Sequence, residues 1–440
     1  MRKITRIASL ALISAVLAGA FAGGKSDAPA AAGSSAKKIE GSIVVLHHRT
    51  DWNDTKFQEY KAKFNEKYPD VDIEFEAITD YAGTVRTRMS TKAYGDVLMM
   101  VVNPPIPQDF GNFYESMGKK ADLNKKYDFI EQSAQISFGD DVYALPLNAN
   151  VGGLVYNKRV FEKAGIKKFP KTSNEFYAML EQIKTKTDAV PLFLNYPSKW
   201  TLVQWEGARN AYSGDPDWAN KMIHMDDPFS PGKPHYELYK VLYEVVKRGL
   251  CEKDILTSDW EASKQMMADG KIGVMNLGGW AVGQIMALAK NPDDIGYMPY
   301  PANVGGKMFS EVSLDYNIAV NKYSKNKDAA LAFARWFADE SGYGADNQSI
   351  PALKGSAFPA VLDSFKTSGV QYITGSPAKA GEDGLFDKLD KEAEIGFWAD
   401  PEKIRIVDAA MGTRKESFDD IMKDWNARWA KARKTLAVTP

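Results

Sequence analysis

Two tryptophans sit where tight turns end. Trp280 closes Asn276-Leu277-Gly278-Gly279-Trp280, and Trp398 closes Gly396-Phe397-Trp398. The paired glycines let backbone approach a bound molecule closely, and a helix beginning after them offers free N–H groups. A large aromatic at a loop mouth is costly unless it covers something. Phe397 competes with Trp398 for that role. Trp200 or Trp205 supplies a third wall, the other belonging to a core. Asp51, Trp52 and Asn53 form a polar turn after an early strand. Aromatic plates beside carboxylates and amides suit a pyranose, whose flat C–H faces pack on rings and whose hydroxyls both donate and accept. With ten tryptophans, the chain is well supplied with such plates.

The same residue types serve a glycosidase, which needs two carboxyls ~5–9 Å apart across a scissile bond. No acidic motif stands out to mark such a pair, so that reading ranks below binding. His47 and His48 are adjacent at a strand end and point to opposite faces, which argues against a shared metal. His224 and His235 have no ligand spacing, and Asp383, Asp387 and Asp390 miss the calcium-loop pattern. There is neither a phosphate loop nor a dinucleotide fingerprint, and no cofactor is expected. The net charge of −1 leaves no basic excess to neutralise phosphates, so nucleic acid is not an expected partner.

Periodicity places the elements that hold these residues. Ile43–Leu46 reads as a strand, and Lys56–Tyr68 as a helix with Phe57, Tyr60, Phe64 and Tyr68 on one face. Val71–Ala77 alternates as a half-exposed strand, completing a βαβ unit with a parallel sheet. Val97–Val102 is a continuous apolar run typical of a strand covered on both faces. Thr172 and Glu175 form a capping box before a helix to Lys184, and Ser258 with Glu261 a second one. Tyr236–Arg248 is an amphipathic helix. Lys271–Met275 and Ser313–Val320 read as strands, and Asp328–Phe337 as a helix. About 400 residues exceed one ordinary core, so two α/β lobes are expected, each doubly wound. In such sheets, ligands lie beyond the carboxyl ends of the strands, so a cleft between two facing edges is the expected site.

The run Gly139–Ile166, GDDVYALPLNANVGGLVYNKRVFEKAGI, resembles the carbohydrate-type extracellular solute-binding proteins of ABC importers (maltose- and oligosaccharide-binding-protein-like), and so does the Gly278–Trp280 turn. The resemblance covers roughly Ile43 to Trp425. It implies a type II periplasmic-binding-protein-like fold with three hinge crossings, near Leu147–Gly152, Tyr297–Pro301 and Ile350–Lys354. Lobe I would be 39–148 plus 301–350, and lobe II 152–298 plus 352–440. It also implies that ligand is held by Trp280, Trp398, Asp96, Asn150, Asp51, Trp52, Asn103, Trp200 and Asp315. Met100 lies where relatives have an aromatic. The implied function is capture of a sugar or oligosaccharide and delivery to membrane permease subunits, by a monomer and without catalysis or metal. A polyamine or a peptide is the alternative solute.

Arg2, Lys3 and Arg6 followed by the apolar run Ile7–Leu17 and Ala20-Phe21-Ala22 read as a signal peptide over 1–22. An Ala/Ser/Gly-rich flexible leader follows over 23–38. The sole cysteine is Cys251, expected to be a buried small hydrophobe, so no cysteine is available for a lipid anchor at the cleavage site. A periplasmic location is the expectation.

Overall fold

A computed structural model describes residues 38–438, apart from 103, 105–106 and 132–134. The expected signal peptide and nearly all of the leader lie outside the described residues, as does Asn103.

Two mixed sheets carry the two lobes. The first runs Val71–Ala77, Gly41–His47, Val97–Met99, Asn317–Val320, Ala144–Pro146 across the sheet. Its first three strands are parallel, as the βαβ reading requires, and Asn317–Val320 is antiparallel to both neighbours. Ile43, Val45, Val97, Leu98 and Ile318 are fully buried in it, under Phe57, Tyr60 and Phe64 of the Lys56–Lys67 helix. The second sheet runs Val190–Phe193, Ile272–Met275, Leu154–Asn157, Ile295–Met298. It packs against Ser173–Lys186, whose Thr172–Glu175 capping box forms as expected. The helices Pro234–Lys247, Pro401–Met411 and Phe418–Thr435 extend that core around Trp425 and Trp429. Among the described residues, no helix is long and apolar enough to cross a membrane.

A third sheet joins the two. Asn148–Val151 lies between Lys307–Leu314 and Ile350–Pro351, antiparallel to each. Each of these strands takes the chain from one lobe sheet or core towards the other. The second crossing is therefore Lys307–Leu314, not Tyr297–Pro301. Ile295–Met298 is still committed to the second sheet through Leu154–Asn157, and Asn303-Val304 first makes a hairpin with Lys307-Met308. The Ser313–Val320 run divides accordingly, its start ending the crossing and Asn317–Val320 entering the first sheet. The Val97 strand also stops early, at Met99, because Met100 takes a left-handed φ of 107°. The second expected capping box is displaced by one residue: Asp259, not Ser258, accepts the Ala262 N–H before Trp260–Ala268. Cys251 is half-buried rather than fully so, and burial pushes its thiol up to about 12.

All three crossings meet at one fully buried amide. Asn148 Nδ2 donates to Ser349 Oγ at 2.7 Å and to Asp315 Oδ2 at 3.2 Å. Its Oδ1 accepts the Tyr316 N–H at 3.2 Å. Asp315 N–H returns a bond to the Asn148 carbonyl at 3.0 Å, and Leu147 N–H donates to the Tyr316 carbonyl. Glycines allow the first crossing to pass through. A Cβ on Gly153 would lie 2.7 Å from the Met298 carbonyl, and one on Gly152 2.9 Å from that of Gly207. Truncating Asn148 leaves buried partners unpaired, each at ~1–3 kcal/mol. Asn148→Ala should therefore lower unfolding free energy by about 2–4 kcal/mol in urea titration. A loss under about 0.5 kcal/mol would show that the amide is not the tie described.

Candidate solute-binding site

The crossing sheet is the floor of a cavity of about 170 Å³. Asn150, Val151 and Gly152 enter it from the first crossing, and Glu311 and Ser313 from the second. Gln204, Gly207, Gly278, Trp280, Tyr300 and Trp398 complete its lining. Three expected residues, Asn150, Trp280 and Trp398, thus share one space.

Trp280 belongs to an indole cluster whose other members, Trp200 and Trp260, do not line the cavity. Trp280 opens the helix Trp280–Met286, and its ring folds back so far that a Cβ on Gly278 would lie 2.6 Å from it. Only glycine fits beneath that ring. Trp200 lies 5.8 Å from Trp280 between ring centroids, and Trp260 joins both at 5.1 and 6.1 Å. Trp200 is 38% exposed and Trp205 only 3%, so Trp205 is the core member of that pair. The Gly-Phe-Trp turn divides in the same way. Phe397 is fully buried against His235, Phe386 and Trp429, while Trp398 stands 60% exposed at the cavity.

Buried charges hold these turns. Asp390 accepts the Gly396 and Phe397 N–H groups at 2.8 and 3.0 Å. The Lys403 ammonium donates to both carbonyls of the same residues at 2.6 and 2.7 Å. Burial lowers the Lys403 ammonium to about 8, against the pull of Glu206 and Asp390. Glu206 is fully buried between His235, Tyr239 and Arg209 at 3.2, 2.8 and 3.3 Å. Its burial opposes charge, yet His235 and Arg209 hold its carboxyl below the usual range. The loop before Trp200 contains two non-glycine residues with positive φ, Asn195 and Lys199, both at 56°. Glu252 clasps that loop by accepting the Leu194 and Asn195 N–H groups at 2.9 and 3.1 Å.

The other expected residues lie elsewhere. Asp51 takes the Arg49 guanidinium in a two-point pair at 2.8 and 2.7 Å. Arg49 also donates to Asn347 at 2.7 Å and stacks 3.6 Å over the Trp52 ring, which meets Tyr343 edge-on. That turn is a closed cluster of its own, joined to the third crossing through Asn347. Asp96 lies at the amino end of its strand, the edge opposite to where ligands sit. Its oxygens take the Val44 N–H at 2.9 Å and the Ser324 hydroxyl at 2.6 Å, which makes it a tie within the first lobe. Asp315 is one step behind the cavity, engaged with Asn148, and burial pushes its carboxyl up to about 6. Sequence reading missed Gln204, Tyr300, Glu311 and Ser313. Glu311 and Ser313 alternate with buried Ser310 and Val312, and that alternation is the signal that would have placed them on one face.

Residues 51–343 match the family described as bacterial extracellular solute-binding protein. This chain belongs to that family. A multiple sugar-binding protein of Streptococcus mutans is 24% identical over 345 residues, 73% of this chain and 77% of its own length. A binding protein of an ABC transporter from Bifidobacterium animalis subsp. lactis, solved with mannobiose, superposes with a TM-score of 0.80 at 32% identity. The match covers 90% of this chain and 95% of that one. A manno-oligosaccharide-specific solute-binding protein of the same organism, solved with mannotriose, gives 0.80 at 31% identity over 91% and 96%.

The Glu252 clasp makes a testable pH effect. Burial pushes its carboxyl up to about 7 from 4.5, against the N–H groups that favour its charge. Between those values the folded chain holds the proton more tightly than the unfolded chain, so this group's contribution to stability falls as pH rises from 4.5 to 7. Glu252→Gln removes that slope. In thermal melts the variant should gain on the wild type from pH 5 to pH 8, and a constant difference would refute the assignment.

Proposed function

We propose that this solute-binding protein captures a sugar or oligosaccharide and presents it to the membrane subunits of an ABC importer, breaking no bond. The observation that carries this reading is the convergence of Trp280, Trp398 and Asn150 on one cavity at the crossing sheet. Trp280 packs on the flat face of a ring, and Asn150, Ser313 and Gln204 meet its hydroxyls. Asn150 Oδ1 is buried with no hydrogen-bond partner, an acceptor ready for a ligand donor. The cavity is smaller than the ~300–1,000 Å³ of typical small-molecule sites. One terminal ring is enclosed, and the rest of an oligosaccharide lies along exposed Trp398.

In this proposal the lobes are the boundaries expected above, with the second crossing moved to Lys307–Leu314. They rotate about the three crossings, and closure is favoured by ligand contacts made only in the closed form. The protein works as a periplasmic monomer released by signal-peptide cleavage. The carboxylate of Glu311 at the cavity keeps a cationic solute, such as a polyamine, as the second reading.

A thermal-shift panel of mannobiose, mannotriose, raffinose, diacetylchitobiose, spermidine and a tripeptide tests the assignment, since a ligand of the folded state raises its melting temperature. At least one saccharide should do so, unaltered after incubation. Trp280→Ala should weaken binding of that saccharide at least tenfold, about 1.4 kcal/mol, with little change in the ligand-free melting temperature. Stabilisation by spermidine alone would transfer the function to the second reading, and hydrolysis of the sugar would end the binding-only proposal.

A further inference from the structure

Glu311 is the one carboxylate lining the cavity, and no sequence argument singled it out. Strand alternation puts it on the same face as Ser313, towards the cavity, while Val312 turns into the apolar core beneath. Its backbone is fixed, because its carbonyl accepts the Gly152 N–H at 2.9 Å across the first crossing. Its side chain is not satisfied. Oε2 is buried and has no hydrogen-bond partner. The neighbouring Asn210 amide supplies at most a weak contact, since Nδ2 also lacks a partner within hydrogen-bonding distance.

The charged and titratable groups around it do not remove the deficit. Arg209 is the cation nearest in effect, but it is bound to Glu206 at 3.3 Å, and Glu206 repels Glu311. Tyr300 also lines the cavity, and its own hydroxyl is given to Asn276 at 3.0 Å. Burial first, and then Glu206, raise the Glu311 carboxyl above its ordinary range, with Arg209 opposing. A buried, unpaired acceptor costs ~1–3 kcal/mol, and more when charged. A scaffold has no use for such a group beside an open space. A ligand with adjacent O–H donors does, because a carboxylate accepts two at once.

We infer that Glu311 receives the hydroxyl groups of the enclosed sugar ring and so selects which ring configurations the site accepts. This rests on the sugar-binding reading above. A ring that presents two neighbouring hydroxyls to the floor binds. One that presents an axial substituent or an ether oxygen there leaves the carboxylate unpaired and is rejected, since sites built to hydrogen-bond a hydroxyl discriminate strongly against analogues lacking it.

The test compares the wild type with Glu311→Gln, using whichever panel saccharide stabilises the wild type most. Isothermal titration with that saccharide and with the other panel saccharides gives affinity and preference. Glu311→Gln should bind the preferred saccharide at least tenfold more weakly and narrow the preference for it, with a ligand-free melting temperature equal to or above that of the wild type. Affinity and preference within threefold of wild type would overturn the inference while leaving the sugar-binding function standing. A clearly lower ligand-free melting temperature, with the preference unchanged, would make Glu311 a structural residue and overturn it too. If no saccharide binds the wild type, the inference falls together with the function it rests on.

Discussion

One buried amide organises this molecule. Asn148 sits where the three crossing strands run side by side, and it uses both donor hydrogens and its acceptor on the other two crossings. Buried polar groups stabilise only when fully partnered, and a fully partnered one specifies a unique arrangement. Asn148 thereby sets the register of the sheet from which both lobes depart. The cavity floor continues along two of these strands, through Asn150–Gly152 on the first crossing and Ser313 and Glu311 on the second, so the geometry of the site inherits that register.

Many buried polar groups of the scaffold are paired, although some, such as His47 Nδ1 and the Tyr343 hydroxyl, are not. The aromatic turns are held by ionic clasps whose members are paired: Asp390 and Lys403 on the Gly396-Phe397 backbone, and Glu252 on the Leu194-Asn195 backbone. Behind them, Glu206 is surrounded by three donors. At the cavity the pairing stops. Asn150 Oδ1 and Glu311 Oε2 are buried acceptors with nothing to accept from, next to exposed indole faces. Membership of the solute-binding family and similarity to sugar-binding proteins fit a site whose unmet bonding capacity is of the kind that hydroxyls satisfy.

Local chemistry was readable wherever its causes are local. The Phe57–Tyr60–Phe64 stripe and the Thr172 capping box follow from spacing of three to seven residues, the parallel pairing of Gly41–His47 follows from one short strand–helix–strand unit, and the structure forms all three. The Trp280 turn was legible because two glycines before a helix restrict what the chain can do there. Misplacements arose where the deciding partner is distant. Tyr297–Pro301 has the apolar character of a crossing strand, but Leu154–Asn157 claims its beginning for the second sheet. Asp96 has the residue type of a ligand contact, but Ser324, 228 residues away, takes one of its oxygens. Ser258 lost the helix cap to its neighbour Asp259, a choice that spacing alone leaves nearly balanced.

Residue types and their short-range periods determined the α/β class, the helix and strand positions, the aromatic supply and the family likeness, since each depends on interactions within one element or turn. Tertiary structure decided which aromatic of each pair, Trp200 or Trp205 and Phe397 or Trp398, faces solvent, and which carboxylates are tied up. Those outcomes depend on what lies across the fold from each side chain, and burial and pairing are properties of that neighbourhood rather than of the residue.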